Sequence, residues 1–306
     1  MSELQRMARP LLERPPVAPT SIDDLERRGR RRRRVRVVTA GAVTLVAALA
    51  VTLVVLVVAP VPTIQSPPAA RSGRVRLAAF IQTGVSVPDS VLETVGLPAG
   101  VQLPTPVAGQ PALNDLGKPA VVYVGAEFCP YCAVERWGLL VALSRFGTFS
   151  TLGQVVSSSS NDVYADLKSW SFSGSSYTSP YLTFDPAEIE SSTPTSGGGY
   201  EPLDALAPLQ KQAFDTYDRT GQGGIPFVDL ANRFSVLGAS ASPAPLEGLS
   251  LDQVATLLDQ PSSPVAQAVD GTANALIGAL CQVTGVSSSP VCSSPVAGRS
   301  QAGAKS

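Results

Sequence analysis

The sequence predicts an α/β protein, a mixed sheet flanked by helices and preceded by one N-terminal transmembrane helix. Three observations carry that expectation. Residues 37–59 hold no charge and are almost all Val, Leu and Ala. A short β-branched apolar run at 120–125 leads through Cys129-Pro130-Tyr131-Cys132 into a stretch with helical spacing. Two further strand patterns, 225–230 and 234–237, are joined by a turn and followed by two helical patterns.

The uncharged stretch has 23 residues. At about 1.5 Å per residue it matches a hydrocarbon core of roughly 30 Å. Residues 1–36 hold 11 Arg and 5 acids, a net charge of +6. The span is longer than the roughly 7–15 residues of a signal-peptide core, which favours a retained anchor over a cleaved leader. The Arg run should hold the N-terminus in the cytoplasm. The expected organisation is therefore a basic cytoplasmic tail at 1–36, a transmembrane helix at 37–59 and a Pro-rich linker at 60–87. An extracytoplasmic domain with a lead-in segment should occupy 88–292, and a disordered tail 293–306. That is a single-pass protein of the cytoplasmic (plasma) membrane, touching the lipid bilayer through 37–59 with its C-terminal domain outside. Residues 61–306 carry 12 Lys+Arg and 19 acids, a net of −7. An acidic body argues against nucleic acid as a partner.

Within the body, a short helix is expected at 88–95, entered by Pro88 and closed by Gly96. The segment 77–118 reads as a lead-in. After the strand at 120–125, Val134, Trp137, Leu140, Val141 and Phe146 recur at helical spacing up to Gly147. A second strand is expected at 152–156. Residues 157–200 are rich in Ser, Gly, Tyr and Thr and read as irregular, with one strand at 181–184. Helices are expected at 203–217, at 251–258 behind Ser250, and at 265–280. The sheet should include 120–125, 152–156, 225–230 and 234–237. Trp137, Phe146 and Trp170 read as core.

The chain has no His. Ser-His-Asp and Cys-His pairs and His-bearing zinc sites are thereby excluded. The cysteines are Cys129, Cys132, Cys281 and Cys292. Cys129 and Cys132 fall between a strand and a helix. A thiol at a helix N-terminus faces the unpaired N–H groups of the first turn and the positive end of the macrodipole, which favour thiolate. Pro130 suits the first turn because its missing N–H costs nothing there. Cys132 can reach back to resolve a mixed disulfide on Cys129. A C-x-x-C beside a βαβ pattern reads as a thioredoxin-like redox site.

The segment Ala126-Glu127-Phe128-Cys129-Pro130-Tyr131-Cys132 resembles the active-site run of thioredoxins, and the Cys-Pro-Tyr-Cys itself resembles glutaredoxins. The block from Tyr123 to Trp137, with Leu143-Ser144-Arg145-Phe146-Gly147, resembles the uncharacterised bacterial and archaeal family called domain of unknown function 929. The resemblance implies a thioredoxin-like mixed sheet over roughly 88–292, but no substrate. It also implies a cis-proline loop opposite the dithiol, for which Gly223-Gly224-Ile225-Pro226 stands in the expected place. Thioredoxins carry a buried acid six residues before the first Cys. Here that position is Tyr123, so proton transfer at Cys132 would need another group, such as Glu127, Glu135 or water.

The function expected is thiol–disulfide exchange by a membrane-anchored extracytoplasmic protein, without cofactor or metal, acting on protein thiols or disulfides outside the membrane. Cys129 would attack as the more exposed thiol, Cys132 would resolve, and Pro226 would border the substrate. Glu127 and Glu135 would oppose thiolate formation at Cys129 as nearby like charges. The alternative is a non-enzymatic binding or scaffold module with an inert disulfide at 129–132. A four-cysteine zinc site fits poorly, because ten residues separate Cys281 from Cys292 against about two to four in a zinc knuckle. Cys281 and Cys292 read as a structural disulfide, with a second redox pair as the alternative.

Overall fold

A computed structural model describes residues 87–158, 162–218, 224–286 and 291–293. The lead-in forms helix α1 (Asp89–Val95) and two short strands, β1 (Thr105–Pro106) and β2 (Asn114–Asp115). A tight turn with positive φ at Leu116 and Gly117 joins β2 to β3 (Lys118–Gly125). Helix α2 (Pro130–Ser144) follows, then β4 (Thr148–Val156), β5 (Lys168–Thr178), β6 (Thr183–Glu188), β7 (Glu190–Pro194) and β8 (Tyr200–Pro202). Helix α3 (Pro208–Asp218), β9 (Phe227–Leu230) and β10 (Phe234–Leu237) come next. A 3-10 turn (Ala244–Leu246), α4 (Leu251–Leu258) and α5 (Pro264–Thr284) complete the order.

Strand β3 is the centre of the sheet. It pairs in parallel with β6 on one side and antiparallel with β9 on the other. β10 pairs antiparallel with β9, and the two-residue β1 covers its outer edge. Pro106 is tolerated there because an edge strand can spare an N–H. The continuous apolar run of β3 suits a strand buried on both faces. Val121 and Tyr123 join the core formed with α2 and α5. Phe227, beside Val124 in the register, meets Phe214 of α3 edge-on at 5.3 Å between ring centroids.

Local chemistry sets the helix ends. Ser250 caps α4 in a reciprocal capping box with Gln253. Ser263 caps α5, Pro264 occupies its first turn, and Gly285 closes it in the left-handed conformation. The lead-in is tied to this frame. The Asn274 side chain of α5 donates to the Leu92 and Gly96 carbonyls, and Arg145 pairs with Asp89.

Two expectations about this frame are corrected. The strand expected at 152–156 is part of β4, but it pairs only with β5 in a separate two-stranded sheet rather than joining the central one. Residues 157–200 are not mostly irregular. They hold β5, β6, β7 and the start of β8. Their Ser- and Thr-rich strands carry only a weak apolar alternation, so the pairing partner rather than the local pattern makes them strands.

The membrane reading is corrected too. Among the described residues no helix is long and apolar enough to cross a membrane. The longest, α5, has 21 residues, but Gln267, Asp270, Thr272 and Asn274 interrupt it and it packs on α2. The span expected at 37–59 lies outside the described residues, as does the basic tail at 1–36. The transmembrane helix in front of the sheet, the bilayer as a partner, and the single-pass plasma-membrane placing with the domain outside find no support among the described residues.

Helices α2 and α5 approach closely at Gly138. A Cβ there would overlap the Thr272 methyl group and crowd the Thr272 Cβ. Gly138→Ala should destabilise by about 1–3 kcal/mol through overpacking, outweighing the roughly 1 kcal/mol that Ala gains over Gly in a helix. Adding Thr272→Ser, which removes that methyl but keeps the Cβ, should recover part of the loss. Urea unfolding of both chains checks this, and a Gly138→Ala chain as stable as wild type would contradict the close approach.

Candidate functional site

The chain leaves β3 at Gly125 and enters α2 at Pro130, so the dithiol sits at the C-terminal end of the central strand. Cys129 is the N-cap of α2, and its Sγ accepts the Cys132 N–H at 3.2 Å. A sulfur in the place of a capping oxygen takes one of the helix's orphan donors, an arrangement that favours its anion. Both cysteines are free thiols. Cys132 is fully buried, and Cys129 is 6 % exposed. Cys129 is thus the more exposed of the two, but by little. Together with Ala126 they form an apolar nest against Phe128, Ile189 and Ile225. The Ile225–Pro226 bond is cis. The pairing of Val124 with Phe227 places that loop beside the end of β3.

A buried ion pair lies against this nest. Arg136, one turn beyond Cys132, is fully buried and meets the equally buried Glu188 of β6 at 3.0 Å. Its Nη1 also donates to the Ala126 carbonyl at 3.1 Å and to the Tyr123 hydroxyl at 3.5 Å. Tyr123 can present its hydroxyl here because Gly125 has no Cβ to overlap it. Glu188 accepts a further bond from the Phe172 amide.

The two thiols are pushed apart. The Cys132 thiol donates to the Cys129 sulfur and lowers its pKa. Burial opposes this, while the Cys132 amide, the Arg136 guanidinium and the Tyr131 amide lower it further. Burial drives the Cys132 pKa well up, and the neighbouring Cys129 adds to it. Burial alone would lower Arg136, yet Glu188, Tyr123 and both thiols hold its pKa above the ordinary value. Burial raises Glu188 to about 7, against the pull of Arg136.

Residues far along the chain cover the dithiol. Phe128 stacks on Tyr200 at 4.1 Å, the Tyr200 hydroxyl bonds Ser158, and the Ser158 amide donates to the Phe128 carbonyl. The Glu127 amide donates to the Glu190 carbonyl. Tyr131, at the rim, meets Tyr164 edge-on.

The sequence reading placed Cys129, Cys132 and Pro226 together, and these three do share one end of the sheet. Glu127 and Glu135 are each held by hydrogen bonds from serine. Glu127 accepts a hydrogen bond from Ser171. Glu135 is buried and holds the Ser240 amide and hydroxyl at 2.8 and 3.1 Å. Arg136 and Glu188 were missed. A signal for Arg136 existed, as the single cation of a mostly apolar helix, one turn after Cys132 and beside Glu135. Glu188 had none, because its strand was read as irregular chain. Cys281 and Cys292 are joined to each other in a disulfide with Cα atoms 5.5 Å apart. No group of metal-ligating side chains is found among the described residues.

Residues 108–196 match the model of a protein family described as Domain of unknown function (DUF929). The match takes in β3, the dithiol, Arg136 and Glu188, and stops before β8. No curated protein and no solved structure matches the chain.

Burial raises three carboxyls of this domain, Glu135 and Glu188 to about 7 and Asp270 to about 8, the last also pushed by Asp259. A raised folded pKa means that the native state binds more protons than the unfolded chain. Stability should therefore fall as pH rises from the unfolded values near about 4 towards about 8. Neither Asp270 oxygen has a hydrogen-bond partner among the described residues, so an amide loses nothing there. Asp270→Asn should stabilise at pH about 8 by roughly 2 kcal/mol or more, and little at pH about 4. Thermal unfolding across that range checks it. An Asp270→Asn chain that parallels wild type at every pH would refute the assignment.

Proposed function

We propose that this protein is a thiol–disulfide oxidoreductase of thioredoxin-like fold. One observation carries the reading: a free Cys129 thiol caps the helix after the central strand, its pKa lowered, directly beside a buried Cys132 whose pKa is raised. The topology supports it. A strand, the dithiol helix and a parallel strand (β3, α2, β6) are followed by a helix and an antiparallel pair (α3, β9, β10), in the spatial order β6-β3-β9-β10. The cis-proline before β9 and the packing of Ile225 on the dithiol support it as well.

The chemistry balances within the dithiol. The Cys129 thiolate attacks one sulfur of a substrate disulfide. A Cys129–substrate bond forms, the substrate S–S bond breaks, and the leaving thiolate takes a proton. Cys132 then gives up its proton and attacks the Cys129 sulfur. The internal disulfide forms and the second substrate thiol departs. The substrate gains two electrons and the dithiol loses two; the reverse sequence oxidises a substrate dithiol. Pro226 borders the place where the substrate sulfur would lie. The near-complete burial of Cys129 favours a second reading, a scaffold whose thiols meet no substrate.

Exchange assays separate the two. Cys129→Ser should abolish reduction of a disulfide-bonded protein substrate, and Cys132→Ser should accumulate long-lived mixed disulfides. Cys281→Ser should leave exchange intact while lowering stability by about 2–4 kcal/mol. Full exchange after Cys129→Ser, or no alkylation of Cys129 in the native reduced protein, would reject the oxidoreductase reading.

A further inference from the structure

We infer that Arg136 is a positioning residue of the dithiol, a single buried cation shared between Cys129 and the Glu188 carboxylate, so that the thiolate forms only as Glu188 holds its proton. The inference rests on the exchange reading above and names the group that regulates the same site.

Positions 129, 132 and 136 are spaced by three and four, which puts them along one face at the start of α2. Arg136 is fully buried, and Nη1 alone makes its four contacts, two of them to the Glu188 oxygens. Nε and Nη2 have no hydrogen-bond partner among the described residues. The guanidinium is therefore only half engaged by the carboxylate and keeps two donors for further negative charge. Its charge also acts on both thiols.

The other ionisable groups around it do not supply a second cation. Tyr123 on β3 is buried with its pKa raised well above the ordinary value, first by burial and then by Glu188. Glu127, in the loop before the helix, accepts a hydrogen bond from Ser171. Asp204, after β8, accepts from the Glu188 amide and from Ser173. Glu135 on α2 is turned to Ser240.

One cation can offset one anion. With Glu188 ionised and Cys129 a thiol, the buried cluster is neutral. With Glu188 protonated and Cys129 a thiolate, it is neutral again. With both ionised, one negative charge is left unpaired away from water, which is costly. Moving the proton from Cys129 to Glu188 thus makes the nucleophile without changing the buried charge. Two groups coupled in this way titrate as a pair, in two steps. Tyr123 stands where a thioredoxin has its acid. Here the acid comes instead from the neighbouring strand, and the arginine couples it to the thiols.

The test follows the pH dependence of Cys129 alkylation by iodoacetamide, with thiolate ultraviolet absorbance alongside, in the full reduced chain. Glu188→Gln is nearly isosteric and frees the cation. The Cys129 midpoint should fall by about one pH unit or more and the titration should become a single step. Arg136→Met should raise the midpoint by about one unit or more, and Arg136→Lys should bring it part of the way back. A Glu188→Gln profile that superimposes on wild type would overturn the inference. Should Arg136→Met fail to fold, Glu188→Gln decides alone. Reduction of a peptide disulfide is measured on the same samples. Shifted profiles without any exchange would reject the oxidoreductase reading and leave the shared cation standing; exchange with unshifted profiles would do the reverse.

Discussion

Arg136 ties four parts of the chain together through one nitrogen. Nη1 meets the Glu188 carboxylate at the end of β6, the Ala126 carbonyl before the helix and the Tyr123 hydroxyl of β3, while the backbone belongs to α2. Removing either ion from such a buried pair costs about 3–5 kcal/mol, because the other is left uncompensated. The pair therefore tolerates few alternative placings of β6 against β3. The parallel register that sets Gly125 beside Glu188 satisfies it. The seat of the dithiol follows from the same constraint, since Ala126 is both an acceptor for Arg136 and a wall of the cysteine nest.

The region between α2 and β6 gives the site its surroundings. The β4–β5 pair lies along α2, with Trp170 meeting Trp137 edge-on at 5.5 Å and the Trp137 indole donating to the Lys168 carbonyl. Ser158, between β4 and β5, and Glu190 and Tyr200, beyond β5, close over Phe128 and Glu127 through their contacts. Water is largely excluded from Cys129 as a result. Low polarity strengthens the hold of Arg136 on a nearby anion and penalises any charge it cannot match. The hydrogen bond from Cys132 to Cys129 and the deeper burial of Cys132 give the thiols unlike acidities, while burial narrows the approach to them, so the rim residues Tyr131 and Ile225 would be the first a substrate meets.

Support from beneath comes from α5. It is buried over most of its length and packs on α2 closely enough to require glycine at 138. It also anchors the lead-in through Asn274. The burial has a cost at Asp270, a carboxyl enclosed without a partner among the described residues. The Cys281–Cys292 bond holds the far end of the same helix.

The parts legible in the sequence were those with local causes. The apolar run of β3, the thiol at the start of α2 with Pro130 behind it, and the Ser250 start of α4 each declare themselves within a few residues. Cap chemistry and hydrophobic period act at that range. Tertiary structure decided the rest. Lys168–Thr178 is a strand because β4 and α2 are there to receive it, although its own Ser-rich pattern alternates weakly. The strand at 148–156 left the central sheet because β6, 27 residues further on, took the place beside β3. Glu188 meets Arg136 across 52 residues of chain, a pairing that no local spacing encodes. The sequence by itself determined that two thiols stand at a helix start; only the fold decided which charges are shut in with them, because that depends on which distant strand ends at the same level of the sheet.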